Sequence, residues 1–150
     1  MERKKNLFEG LDTQASEAIS IAQEEALGLQ QEYFNTEHIL LALLGMECLA
    51  SRVLESLDVD LEDVQSSVMD LCTSNESNQS PKEISPTPAV RTVIRYGLEE
   101  ARRAQHKLID TGDILIGLLR QGEGIAAKVL LEKRFQLSPR KIRNELLFLP

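Results

Sequence analysis

The sequence of 150 residues contains no tryptophan, few other aromatic residues and no long hydrophobic run. A core with no Trp and few other aromatic side chains must be built mainly from Leu, Ile, Val and Ala, which suit packed helices better than sheets. The longest apolar runs, such as residues 39–44, are far shorter than the roughly 20 residues that span a membrane. The start, MERKKNLFEG, lacks the hydrophobic segment of a secretory signal. These absences predict an all-α, soluble, intracellular protein with no membrane partner.

Motifs for catalysis and metal binding are also missing. The segment GEGIAAK at 122–128 lacks the glycine that precedes the lysine of a phosphate-binding loop. The two histidines, His38 and His106, stand in no HExxH pattern, and we expect neither to have a second ligand residue nearby. Cys48 and Cys72 lie in apolar contexts without CxxC spacing, which favours reduced core thiols. We therefore expect no catalytic residue, no metal and no cofactor.

Charge is distributed unevenly along the chain. Residues 1–75 carry 4 Lys or Arg against 15 Asp or Glu, and residues 76–150 carry 13 against 9. Nucleic acid would be repelled by the first half and only weakly attracted to the second, whose arginines lack interleaved aromatic residues. The adjacent pairs Glu24-Glu25 and Glu99-Glu100 point about 100° apart on a helix. We expect these pairs to be solvated and expect no nucleic-acid partner.

The chain divides around a segment rich in Ser, Asn and Pro. Residues 73–87, TSNESNQSPKEISPT, show no apolar period, whereas the segments on either side repeat apolar residues every three or four positions. We interpret this as an N-terminal segment over 1–11, a repeat over 12–72, a linker over 73–86 and a second repeat over 87–150. The repeats are expected to form one compact domain.

Polar residues mark where the helices begin. The first helix of each repeat has Asp12 or Thr87 as its expected N-cap, and Pro88 stands at the first helical position of the latter. A short third helix is predicted over 49–57 and again over 125–132. The expected caps of the second and fourth helices are Thr36, Thr111, Asp60 and Ser138.

The two repeats are copies of one another. NTEHILLALL at 35–44 returns as DTGDILIGLL at 110–119, an offset of 75 residues. Two such copies are too few for a solenoid, and a four-helix half would not bury its apolar face well alone. The duplication predicts two pseudo-symmetric four-helix repeats that share one core. Identical pairs include Glu24/Glu99, Ala26/Ala101, Thr36/Thr111, Ile39/Ile114, Leu40/Leu115, Leu43/Leu118 and Leu44/Leu119.

Several motifs together resemble a known family. The doubled TEHILLALL-like phrase, TPAVRTVI at 87–94, EEAR at 99–102 and QGEGIAAKVL at 121–130 are similar to the N-terminal domain of Clp/Hsp100 unfoldases. The ClpC branch, with its patterns GTEHILLGL and REGEGIAAKVL, is the most similar. The resemblance covers residues 8 to about 148.

The resemblance implies a domain without chemistry of its own. Such domains sit above an AAA+ ring that feeds the ClpP protease, and they receive substrate and adaptor proteins in the bacterial cytoplasm or the plastid stroma. ClpC-like members also bind phosphorylated arginine. The chain would be either part of such an unfoldase or, as an alternative, a free-standing accessory subunit that docks on the Clp complex and regulates or stabilises it.

The phosphoarginine site of the family is built around the glutamate of GTEH in each repeat. A helix N-terminus attracts the phosphoryl group, and the carboxylate pairs with the guanidinium. The resemblance therefore implies Thr36 and Glu37 as binding residues, with Asn35 where the family has glycine. In the second repeat Gly112 replaces the glutamate, so Thr111 and Asp113 are weaker candidates.

Three further residues have alternative roles. The resemblance implies a partner contact for Phe8, an aromatic position near the groove between the repeats. Alternatively, Phe8 and Leu11 staple the first helix to the core. For His38 we expect a backbone hydrogen bond beside the preceding loop, and the alternative is a role as a ligand or pH switch.

Overall fold

The structure is a computed structural model that describes residues 9–28, 33–72 and 85–149. These ranges contain eight helices and two short strands, which confirms the predicted all-α fold of two four-helix repeats. No helix within them is both long and apolar enough to cross a membrane. The elements are α1 (Thr13–Gly28), β1 (Tyr33–Phe34), α2 (Thr36–Leu44), α3 (Leu49–Ser56), α4 (Leu61–Cys72), β2 (Ser85–Pro86), α5 (Pro88–Arg103), α6 (Thr111–Gln121), α7 (Gly124–Leu130) and α8 (Pro139–Leu146).

The second helix of each repeat lies at the centre of the domain. All nine residues over 111–119 of α6 are buried, and α2 is buried at seven of its nine positions. A helix that is apolar on every side must be surrounded by other elements. The two repeats supply them, with α1 packed along α2 and α5 along α6.

The third helices are exchanged between the repeats. Helix α3 of the first repeat packs against α6 and α8 of the second, and α7 of the second repeat packs against α2 and α4 of the first. Each repeat therefore depends on the other to cover its central helix. This exchange confirms the shared core that the duplication predicts.

Short backbone pairings repeat the same exchange. Strand β1, directly before α2, pairs in parallel with β2, directly before α5. In the symmetry-related place, Leu11 before α1 forms a parallel bridge with Ile109 before α6. Thr87 N–H donates to Phe34 O at 3.2 Å, and Asp12 N–H donates to Ile109 O at 2.9 Å.

The sequence predicts that Leu11 and Phe8 pack the first helix against the core. Leu11 is buried, which confirms this packing for Leu11. Phe8 lies outside the described residues.

Four of the six predicted caps are confirmed. Asp12 Oδ1 accepts from Ala15 N–H at 2.8 Å, and the Thr87 hydroxyl accepts from Val90 N–H at 3.3 Å. Asp60 and Ser138 cap α4 and α8 in the same way. The predicted linker over 73–86 ends in β2, and its residues 73–84 lie outside the described ranges.

The predictions that Thr36 and Thr111 cap the second helices are wrong. Asn35 and Asp110, one residue earlier, are the N-caps, and each threonine is the first helical residue. Asn and Asp are at least as good as Thr at an N-cap because their side-chain oxygen reaches the free N–H groups of the first turn. Glu37 is consequently the second helical residue.

The prediction of a solvated face is wrong for Glu100, although Glu24, Glu25 and Glu99 are exposed as expected. Glu100 is buried and accepts from Arg143 Nε at 2.8 Å and Nη2 at 2.7 Å. Arg120 adds a bond at 3.2 Å. Burial alone would raise the pKa of Glu100, but these guanidinium groups lower it. The network ties α5 to α6 and α8.

A close approach of backbones joins α5 to α6. A Cβ atom on Gly117 would lie 2.6 Å from the carbonyl oxygen of Val93. No side chain fits there unless the two helices separate. Gly117 thus sets the spacing within the second repeat, where Ala42 stands at the matching position of the first repeat.

Gly117→Ala should lower the free energy of unfolding by about 1 to 3 kcal/mol because the added methyl group collides with backbone. The measurement is urea unfolding followed by circular dichroism. Gly28→Ala is the matched control, since a Cβ there meets no atom within 4 Å. Equal stability of the two variants would contradict the close approach.

Candidate functional site

The N-terminus of α2 is closed by a reciprocal pair of side chains. Asn35 Oδ1 accepts from Thr36 N–H at 2.8 Å, and His38 Nδ1 accepts from Asn35 N–H at 2.8 Å. The backbone bond predicted for His38 is thereby confirmed. The hydroxyl of Thr87 also donates to Asn35 Oδ1 at 3.0 Å, which fixes this helix end against the second repeat.

The protonation state of His38 follows from this geometry. Since Nδ1 accepts a hydrogen bond, the proton of the neutral ring must be on Nε2. Burial lowers the pKa of His38 to about 4. Its 4.0 Å approach to Glu37 is therefore not an ion pair at neutral pH.

Glu37 is buried, and one of its carboxylate oxygens makes no hydrogen bond to any described residue. Its side chain is only 9 % exposed, and among the described residues Oε1 has no hydrogen-bond partner. Burial raises the pKa of Glu37, while a hydrogen bond from its own backbone N–H opposes the shift. Burial also raises the pKa of Cys72 to about 11, and the Glu37 charge adds to this effect. The carboxylate thus lies near the end of α4, and no cation from the described residues pairs with it.

The residues before and after Glu37 also have buried polar atoms that make no hydrogen bond to any described residue. Within the described residues, the Thr36 hydroxyl and His38 Nε2 are buried without a partner. The Thr36 oxygen is 3.1 Å from the place that a Cβ on Gly124 would occupy. We call Thr36, Glu37 and His38 the α2 site. It combines one unsatisfied acceptor with two groups that can donate.

The corresponding groups of the second repeat are engaged. Thr111 Oγ1 accepts from Ala50 N–H of α3 at 3.1 Å. Asp113 occupies the position of His38 and closes α6 by accepting from Asp110 N–H at 3.0 Å, while Asp110 accepts from Asp113 N–H at 2.8 Å. Thr111 and Asp113 therefore have hydrogen-bond partners, unlike the matching groups of the α2 site.

Gly112, at the position of Glu37, is covered by α8. A Cβ on Gly112 would lie 3.0 and 3.1 Å from the two Cδ atoms of Leu146. The second repeat has therefore lost the carboxylate, and an apolar side chain has taken its space.

A cluster of ionisable groups lies beside the start of α6. His106 Nε2 is 3.4 Å from Asp113 Oδ2 and 3.7 Å from Asp110 Oδ2. Burial raises the pKa of Asp113 to about 7. The expectation that neither histidine has a second ligand residue nearby is wrong for His106. Its spacing from the two aspartates, HxxxDxxD, is the signal that could have revealed the cluster.

Comparison with known protein families agrees with this architecture. The family model described as the Clp repeat (R) N-terminal domain matches residues 10–133. The chain belongs to this Clp N-terminal domain family. The sequence resemblance to Clp/Hsp100 proteins is thereby confirmed.

Curated relatives of this Clp domain include a Clp protease ATP-binding subunit and a Clp chaperone. The ClpA homolog of Guillardia theta, an ATP-binding subunit of the ATP-dependent Clp protease, is 38% identical over 142 residues, which are 94% of this chain and 17% of that protein. Chloroplastic chaperone protein ClpC1 of Arabidopsis thaliana is 37% identical over 144 residues, 95% of this chain and 15% of the relative. The chain spans about a sixth of the length of these relatives.

Solved structures share the fold of this Clp domain. The N-terminal domain of the chaperone ClpD from Arabidopsis thaliana superposes with a TM-score of 0.67 at 23% identity, over 93% of this chain and 96% of that one. A ClpV N-domain in complex with a VipB peptide has a TM-score of 0.62 at 16% identity, over 94% and 96% of the two chains.

Glu37→Gln should stabilise the domain at pH 7, by about 1 kcal/mol, because it replaces a buried anion with a neutral group of the same shape. The folded-state pKa is raised, so wild-type stability is lost as the pH rises through that pKa. The difference between the proteins should therefore vanish at acidic pH. Urea unfolding at several pH values measures it.

Glu62→Gln is the matched control. Glu62 is also the second residue of its helix, α4, but it is exposed. Its replacement should cost about 0.3 to 1 kcal/mol by removing an anion from a helix N-terminus. A loss of stability in both variants at pH 7 would refute the unfavourable burial of Glu37.

Proposed function

We propose that this Clp N-terminal domain is a non-catalytic recognition module. It receives substrate proteins, and the adaptor proteins that deliver them, for an ATP-dependent Clp unfoldase and its ClpP protease. The named Clp relatives support this role, as does the ClpV N-domain that carries a bound peptide. The chloroplastic relatives favour the plastid stroma over a bacterial cytoplasm.

The α2 site is the proposed contact with the substrate, and Glu37 is the observation that carries this assignment. A buried carboxylate with an unsatisfied oxygen costs stability, and a protein keeps such a group where a ligand repays the cost. A guanidinium group satisfies a carboxylate with two parallel N–H donors. The ligand at Glu37 is therefore an arginine side chain.

A phosphorylated arginine matches the remaining groups of the site. The hydroxyl of Thr36 and Nε2–H of His38 can donate to phosphoryl oxygens, and the positive end of the α2 dipole favours an anion. Gly124 leaves space beside the Thr36 hydroxyl. The domain would thus recognise phosphoarginine through one repeat, since Gly112 and Leu146 close the matching position of the other.

Calorimetric titration with free phosphoarginine tests this proposal. We expect one site per chain in the wild type and at least tenfold weaker binding in Glu37→Gln, because a charge-assisted hydrogen bond contributes about 1.5 to 3 kcal/mol. Glu62→Gln should bind as the wild type does. Phosphoserine and unmodified arginine should bind more weakly, since each offers only half of the ligand.

Two results would overturn the assignment. Binding that is undiminished in Glu37→Gln would place the ligand elsewhere, and a stoichiometry of two would mean that the second repeat is functional. If phosphoarginine gives no heat of binding with the folded wild type or either folded variant, the phosphoarginine assignment is wrong. Docking on adaptors or on the Clp complex would then remain as the function.

A further inference from the structure

We propose that His106, Asp110 and Asp113 form a binding site for a divalent transition-metal ion, with Zn²⁺ as the ion of matching chemistry. We call these residues the His106 cluster. It lies in the second repeat, and its assignment does not depend on the phosphoarginine proposal. It also revises the expectation from sequence that the chain binds no metal.

The orientation of the His106 ring favours metal binding. Its Nδ1 is 2.8 Å from the carbonyl oxygen of Leu108, and a carbonyl can only accept, so Nδ1 carries a proton. In the neutral ring Nε2 is then a bare lone pair directed at two carboxylates. Metal-bound histidines are commonly held in this way, with the second ring nitrogen donating to a backbone carbonyl.

Distances within the His106 cluster are the second argument. The separations of 3.4 and 3.7 Å between Nε2 and the carboxylate oxygens exceed the roughly 2.7 to 2.9 Å of a charge-assisted hydrogen bond. Tetrahedral zinc with bonds of about 2.0 Å places its ligand atoms about 3.3 Å apart. One donor atom from each residue lies within 4.8 Å of the others. The separations of 3.4 and 3.7 Å are closer to the ligand spacing around zinc than to a direct hydrogen bond.

The carboxylates are held in place by bonds that leave electron pairs available. Asp110 uses Oδ1 to cap α6, so its Oδ2 is directed at His106. Asp113 Oδ2 accepts from Asp110 N–H and keeps a second lone pair for the ion. His106 is 38% exposed along its side chain, which leaves a fourth position open to water.

The first repeat provides an internal comparison. Its positions matching His106, Asp110 and Asp113 are Gln31, Asn35 and His38. Asn35 and His38 close α2 with the same reciprocal hydrogen bonds and no negative charge. Helix capping therefore does not require two neighbouring carboxylates. The second repeat has three residues with metal-binding side chains where the first has one, and capping alone does not require the added charge.

Zinc is favoured among divalent ions by the donor set. Imidazole nitrogen suits Zn²⁺ and its neighbours in the first transition row, whereas Mg²⁺ and Ca²⁺ prefer oxygen donors only. Bound zinc would join the segment after α5 to the start of α6, next to the bridge between Leu11 and Ile109. It would thereby fix the connection between α5 and α6.

Titration of ZnCl₂ into the untagged 150-residue chain, followed by calorimetry, tests the site. We expect one ion per chain and at least tenfold weaker binding in both Asp113→Asn and His106→Gln. Asparagine can still accept from Asp110 N–H, so the cap of α6 is retained. Asp60→Asn, a change of the same kind at the N-cap of α4, is the control and should bind as the wild type does. MgCl₂ should give no saturable binding.

Crystals grown with zinc provide a second, independent measurement. An anomalous difference peak within about 2.3 Å of His106 Nε2 and of both carboxylates would support the site. Absence of saturable zinc binding in the folded chain would overturn the proposal. So would zinc affinity that is unchanged in Asp113→Asn and His106→Gln, or an anomalous peak at other residues.

Discussion

The exchange of third helices between the two repeats is the constraint on which the rest of the structure depends. Helices α3 and α7 each complete the core of the opposite repeat, and the β1–β2 pairing and the Leu11–Ile109 bridge repeat the exchange at the backbone level. A helix buried on all sides, such as α6, needs partners that its own repeat cannot supply. The duplication therefore produces one cooperative domain, although its sequence consists of two similar halves.

Although the two repeats are arranged symmetrically, the central helices α2 and α6 have different side chains at their N-termini. Helix α2 keeps the buried Glu37, and α6 has Gly112 covered by Leu146 at the same position. Conversely, α2 is closed by the neutral pair Asn35 and His38, whereas α6 is closed by two carboxylates. The shared core tolerates these differences because they lie in the first turns of the two helices, where capping hydrogen bonds take the place of apolar packing. Duplication has thus supplied two equivalent positions whose side chains have diverged.

Most of the fold could be predicted from the sequence, because apolar periodicity and capping residues are local signals. Helix starts at Asp12, Thr87 and Ser138 follow directly from them. The predicted N-caps Thr36 and Thr111 are one residue too late, because each follows an equally good capping residue. Glu100 could not be recognised as buried, since its partners Arg120 and Arg143 are 20 and 43 residues away. The helix exchange is likewise a property of tertiary packing.

The exchanged helices have a consequence for how copies of the chain can associate. Every contact between the repeats can be made equally well between the first repeat of one molecule and the second repeat of another. Two chains that refold together would therefore keep the contacts of the described core if they exchanged repeats.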